Sequence, residues 1–139
     1  MYYTLIKRMQ VKQYKVKRFL AETKKIGIAD ITLVNTVKDF MGMDEHGQQR
    51  YALGAGLYKL RVASSGGKGK SGGARTILAV KKGQRLIWLH LFAKNDKGNV
   101  TTGELKKLKM LADILLGLSD VEIDKLVKSG ELLEVKDHV

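Results

Sequence analysis

The spacing of apolar residues changes period twice along this chain, and that change restricts the fold more than any other feature of the sequence. Leu33, Val34, Val37, Phe40 and Met41 recur every three to four positions, as on one face of a helix, and Gly42 closes the run. From Leu57 the pattern alternates instead. Leu57, Lys59 and Arg61 fall on one side and Tyr58, Leu60 and Val62 on the other, as in a half-buried strand. "RTILAVKK" (75–82) reads as a second strand and Gly83-Gln84 as a tight turn. "RLIWLHLFA" (85–93) is apolar on both faces, which marks a central strand. Past residue 100 the helical period returns. Thr101-x-x-Glu104 is a capping-box pattern ahead of a stripe of Leu105, Leu108, Leu111, Ala112 and Leu115, and Ser119-x-x-Glu122 opens a last helix that Gly130 ends.

Upstream, "YKVKRF" (14–19) predicts a short strand running into a helix near Phe19–Ile26, closed by Gly27, and Asp30 is the expected N-cap of the next helix. The residues between Gly42 and Leu57 read as a polar, glycine-containing connector. The fold class is therefore α+β: N-terminal helices, an antiparallel sheet of three to four strands in a meander, then C-terminal helices. A chain of 139 residues fits one domain with a real core, with residues 1–13 expected as an extension.

Charge is distributed as unevenly as hydrophobicity. The net charge is +12, and from His46 to Asn95 there is no acidic residue at all. That segment carries Arg50, Lys59, Arg61, Lys68, Lys70, Arg75, Lys81, Lys82, Arg85 and Lys94, whereas from Thr101 onward eight acids face six bases. A field of one sign opposes folding through self-repulsion, and its usual use is to meet a polyanion, of which nucleic acid is the commonest. Other chemistries are restricted. There is no cysteine, so disulfides, thiol catalysis and cysteine-based metal sites are excluded, and His46, His90 and His138 have no zinc-ligand spacing. No metal and no cofactor are expected. No stretch is long and apolar enough for a membrane span, the N-terminus lacks a signal-peptide core, and a cytoplasmic location is expected.

"SSGGKGKSGGAR" (64–75) ends Gly69-Lys70-Ser71, like a nucleotide-binding P-loop. The position five before Gly69 is Ser64 instead of glycine, and "TILAV" follows where that motif requires a helix. The segment is better read as a hairpin loop carrying cations. With antiparallel strands on either side, Arg61 and Arg75 come close together, and Lys59 shares the face of Arg61. Four or five cations then converge at one end of a sheet.

"GLYKLRVASSGGKGKSGGARTILAV" followed by "FAKNDKGNVTTGELKKLK" resembles the RelE-like toxins of type II toxin–antitoxin modules, in the HigB-type branch of the RelE/ParE superfamily. The likeness runs from about Tyr14 to Val135 and rests on the Gly-Leu-x-Lys-x-Arg strand, the Gly/Lys loop, Gly-Gly-x-Arg opening the next strand, and Ala-Lys-Asn-Asp. It implies a metal-independent endoribonuclease that cuts messenger RNA in the ribosomal A site, leaves a 5′-OH end, and is silenced by a cognate antitoxin, expected to be a helix-turn-helix protein. By that resemblance Lys59, Arg61, Arg75 and Lys94 are the catalytic candidates. Lys68 and Lys70 face RNA phosphate, and Arg50, Lys81 and Asn95 are expected to add RNA contacts. A lysine set among cations has its charged form disfavoured, which suits a general base, while arginine stays charged and clamps phosphate.

The chain departs from the family pattern in having Asn95 and Thr101 where some relatives carry an arginine and a catalytic tyrosine, and no tyrosine stands nearby in the sequence. By alternation His90 shares a face with Leu86, Trp88 and Phe92, and is expected in the core with Trp88 and Phe92. Two other functions are compatible with the same fold: a ParE-like gyrase inhibitor, against which the Lys/Arg cluster argues, and a non-catalytic nucleic-acid-binding module.

Overall fold

The computed structural model describes residues 11–63, 73–93 and 100–136. Among the described residues six strands and five helices follow one another as β1 (Lys12–Val16), α1 (Lys17–Ile26), α2 (Asp30–Met41), α3 (Glu45–Gln49), β2 (Ala52–Gly54), β3 (Leu57–Val62), β4 (Ala74–Lys81), β5 (Arg85–Ala93), α4 (Thr102–Leu116), α5 (Asp120–Ser129) and β6 (Leu132–Glu134). The strands form one sheet in the order β2-β3-β4-β5-β1-β6.

The α+β class and the β3-β4-β5 meander are as the alternation predicts. The sheet, however, is larger than three to four strands and is mixed, since β1 runs parallel to β5. Parallel neighbours need a long crossover, here everything from α1 to β4, and short-range patterning carries no trace of such a pairing. Strand β1 begins at Lys12, so the anticipated extension gives way to sheet by residue 12. The connector after Gly42 holds α3 and the edge strand β2.

Helices cover both faces. Phe19 of α1 and Leu33, Val34, Val37 and Phe40 of α2 pack with Tyr58, Leu60, Leu78 and Trp88 on one side. Ala112 and Leu115 of α4 and Ile123 of α5 pack with Leu57, Ile77, Ala79 and Ile87 on the other. Trp88, with no exposed surface, stacks against Phe19 at a centroid distance of 5.6 Å and donates from Nε1 to Gln13 Oε1 at 3.3 Å. Its reading as core holds.

The helix ends follow their sequence signals. Thr101 with Glu104 and Ser119 with Glu122 form reciprocal capping boxes, and in the second the Ser119 N–H and hydroxyl hold the Glu122 carboxyl below its ordinary range. Gly27 closes α1 in the left-handed region. Asp30 is different from expectation: Ala29 is the N-cap of α2, without a side-chain bond. The Asp30 carboxylate instead accepts from Lys15 Nζ at 2.6 Å and from the Lys136 N–H at 3.2 Å. It ties β1, α2 and the segment after β6 together at a buried lysine.

Arg85 leaves the cation surface altogether. It is 3% exposed. Its Nη1 donates to the carbonyls of Leu115 at 3.2 Å and Leu118 at 2.6 Å, and its Nη2 to Asp120 Oδ1 at 2.9 Å. One guanidinium thus satisfies carbonyls at the C-terminal end of α4 and meets the acid that opens α5.

Candidate functional site

The site is built by pairing register. Alternation along β3 sends Lys59 and Arg61 to the face covered by α4 and α5, and Leu57 of the same strand is buried beneath those helices. In β4, Arg75 stands directly opposite Arg61, and Ile77 opposite Lys59. Opposed residues share a face. Arg75 and Lys59 are half-buried and Arg61 is exposed. The apolar half of this face, Leu57, Ala79 and Ile87, packs under the C-terminal helices. The cations occupy the half toward Val62 and Ala74.

Strand β5 supplies the third column, with a correction to the expected faces. Its register shifts between Ile77 and Leu78: Leu78 pairs Trp88, but Ile77 pairs His90. Leu89 is the extra residue of a β-bulge, and the bulge reverses the alternation beyond it. His90 therefore does not share a face with Leu86 and Trp88. It lies on the cation face, half-buried, with its Nε2 buried and its ring 5.6 Å from that of Phe92. Phe92 is buried opposite Arg75. Two rows result: Lys59, Ile77, His90 and, one step on, Arg61, Arg75, Phe92.

Gly73 completes the arrangement. A Cβ there would stand 2.9 Å from Nε and 3.3 Å from Nη2 of Arg61, and 3.4 Å from the Val62 carbonyl oxygen. The guanidinium of Arg61 lies against bare backbone, which only glycine permits at that separation.

At the sheet edge, the Lys59 N–H donates to the Tyr51 carbonyl at 2.8 Å. The register that pairs Ala52 with Tyr58 carries on to place Tyr51 opposite Lys59. A tyrosine thus adjoins the cation row, although none stands near Asn95 or Thr101 in the sequence. The only signal for it was its place in the acid-free segment, because a turn and a three-residue strand give too little pattern to fix a pairing. Arg50, exposed at the end of α3, precedes it.

Among the nine site candidates, Lys59, Arg61 and Arg75 come together, and Arg50 stands at their edge. Lys81 does not join them. It pairs Arg85 six residues further along β4, about 20 Å from Arg75 at the rise of an extended strand. Lys68, Lys70, Lys94 and Asn95 lie outside the described residues.

On the same side of the sheet a cleft of about 760 Å³ runs beside β5, lined by Leu89, His90, Lys17, Arg18, Lys107 and the leucines of α4 and α5. Among the described residues no cluster of histidine and acidic side chains could hold a metal ion, and no helix is long and apolar enough to cross a membrane.

On this helix-flanked sheet an exposed Arg61 and a half-buried Arg75 oppose each other across two strands, with the half-buried Lys59 beside them. Residues 11–135 match the family model described as the RelE toxin of the RelE / RelB toxin-antitoxin system, and the chain belongs to that family. It is a toxin of a toxin–antitoxin module, and its partner is a cognate antitoxin. No curated protein matches the chain closely enough to serve as a relative.

Proposed function

We propose that this toxin is an endoribonuclease that cuts messenger RNA on the ribosome by activating a ribose 2′-OH against the adjacent phosphate. The observation that carries the reading is the Arg61–Arg75 pair. Like charges directly opposite each other in a sheet oppose folding, by roughly 0.2–1 kcal/mol. A pair retained at that cost is suited to the dianionic phosphorane-like transition state of RNA cleavage, where fixed cations act in the step itself.

In this mechanism a lysine amine, that of Lys59 in the described part of the site, accepts the 2′-OH proton. The 2′ oxygen attacks phosphorus, the bond from phosphorus to the 5′ oxygen breaks, and that oxygen takes a proton and leaves as a 5′-OH. Arg61 and Arg75 hold the non-bridging oxygens throughout. On the family pattern Lys94 is the fourth catalytic residue, and Lys68, Lys70 and Asn95 contact phosphate. Neither the base nor the clamps require a metal ion, because each charge that develops is met by a side chain.

A translated message incubated with the toxin, with and without ribosomes, tests this. Cleavage only on ribosomes, with new ends that accept phosphate from polynucleotide kinase without prior dephosphorylation, is the expected result. Double-strand breaks in DNA dependent on gyrase, with the message intact, would establish the gyrase-inhibitor alternative. RNA binding without cleavage would establish a binding module.

A further inference from the structure

We infer that Tyr51 is a nucleobase-stacking residue of this site, the platform on which a base of the RNA rests while its phosphate meets Lys59 and the arginines. The inference rests on the RNA-directed reading above and adds to it the recognition of the base.

Three observations converge on Tyr51. The first is exposure. Tyr14, Phe19, Phe40, Tyr58, Trp88 and Phe92 are all buried, whereas Tyr51 is 39% exposed, the one exposed aromatic among the described residues. A ring left in water, where the other described aromatic rings are buried, is available to a ligand. The second is position. Tyr51 stands opposite Lys59 at the sheet edge, in the row that continues through Ile77 to His90. A neighbouring pair in a sheet brings Cβ atoms to about 5 Å, close to the distance between a nucleotide's base and its own phosphate. The third is preorganisation. The Tyr51 N–H donates to the Gln48 carbonyl at 3.0 Å, its carbonyl accepts from Lys59, and Gln48 Nε2 in turn donates to the Phe40 carbonyl at 3.1 Å. The backbone carrying the ring is fixed on both sides before any ligand arrives.

The chemistry fits single-stranded RNA. Its unstacked bases seek aromatic faces, its phosphates seek cations, and a tyrosine beside a Lys/Arg row offers both at the spacing of one nucleotide. Stacking tolerates any base, so Tyr51 supplies affinity and registers the strand against the cations without reading its sequence.

The test uses the full chain and a fluorescein-labelled single-stranded RNA whose riboses are 2′-O-methylated, so that it binds without being cut. Binding is followed by anisotropy at low salt. Tyr51→Ala is expected to weaken binding at least about five-fold, the lower bound for loss of one stacked base, while Tyr51→Phe stays close to the parent protein. An abasic nucleotide is then walked through the RNA. At one position it should weaken the parent protein as much as Tyr51→Ala does, and weaken Tyr51→Ala no further, a coupling that a merely structural tyrosine would not produce. Wild-type affinity in Tyr51→Ala, alongside weakened binding in Arg75→Gln, would overturn the stacking role and leave the RNA reading standing. No RNA binding by the parent protein would overturn the stacking role, while the cleavage assay on ribosomes decides the RNA-directed reading separately. A fall in melting temperature of Tyr51→Ala equal to its loss in binding, with no coupling to any abasic position, would also reject the inference.

Discussion

Arg61 and Arg75 are directly paired across β3 and β4, two arginines in register on one face of the sheet. Their strands could have carried an aromatic or opposite-charge pair there, either of which would stabilise the sheet. What surrounds the pair points the same way: Lys59 is the next residue on that face, and Gly73 leaves room for the Arg61 side chain. In the proposed mechanism this pair meets the phosphate of the message.

Gly73→Ala tests the fit of Arg61. The added methyl would meet Nε at 2.9 Å, so the guanidinium must move aside, and displacement of a clamp by about 1 Å costs up to about 100-fold in rate. A loss of about ten-fold or more in cleavage, with RNA affinity and melting temperature little changed, is the expected pattern. Full activity in this variant would show that Arg61 works from another position.

Arg85→Met separates the structural arginine from the functional ones. It removes the donors to the Leu115 and Leu118 carbonyls and the link to Asp120. Leaving such acceptors unsatisfied is expected to lower stability on the order of 2–5 kcal/mol by chemical denaturation. Any activity remaining in the folded fraction should have the parent rate per molecule. A stable protein with lost cleavage would place Arg85 in the site instead.

His90→Gln is expected to reduce stability by about 1–3 kcal/mol, since a ring with a buried nitrogen, packed beside Phe92, is exchanged for an amide. Cleavage should persist within a few-fold. Abolished cleavage at an unchanged melting temperature would make His90 the proton acceptor, a role its place on the cation face allows.

Tyr14 gives the fold a sensitivity to alkali. Burial first, then Glu134 opposite it in β6, raises its pKa above the ordinary value of 10.0. Above that value an unfolded chain releases the tyrosine proton while the native protein still holds it. The unfolded state then binds fewer protons, and stability falls as pH rises. Tyr14→Phe lacks this contribution, so its stability relative to the parent should improve between about pH 9 and about pH 11. A difference that stays constant across that range would contradict the assignment.

Much of this was legible in the sequence, for physical reasons that also explain the failures. The Lys59, Arg61 and Arg75 cluster could be read because a period of two and one antiparallel hairpin fix their faces and their proximity. The two capping boxes could be read because their bonds are local. His90 was misplaced because the bulge at Leu89 changes alternation without any residue that announces it. Asp30 and Arg85 were misread because their partners are distant in sequence, Lys15 and Lys136 in one case and Leu115, Leu118 and Asp120 in the other. The parallel pairing of β1 with β5, and Tyr51 beside Lys59, depend on contacts that no local pattern encodes.

The most direct test of the central claim is Arg75→Gln, measured on one preparation for both single-turnover cleavage of ribosome-bound message and thermal unfolding. The substitution keeps a polar stem and removes one of two facing charges. If the pair serves transition-state charge at the expense of the fold, the rate should fall about 10²–10³-fold, while the melting temperature stays level or rises as the cross-strand repulsion is relieved. Parent-like cleavage by a folded Arg75→Gln protein, or a loss of cleavage matched by a loss of stability, would contradict it.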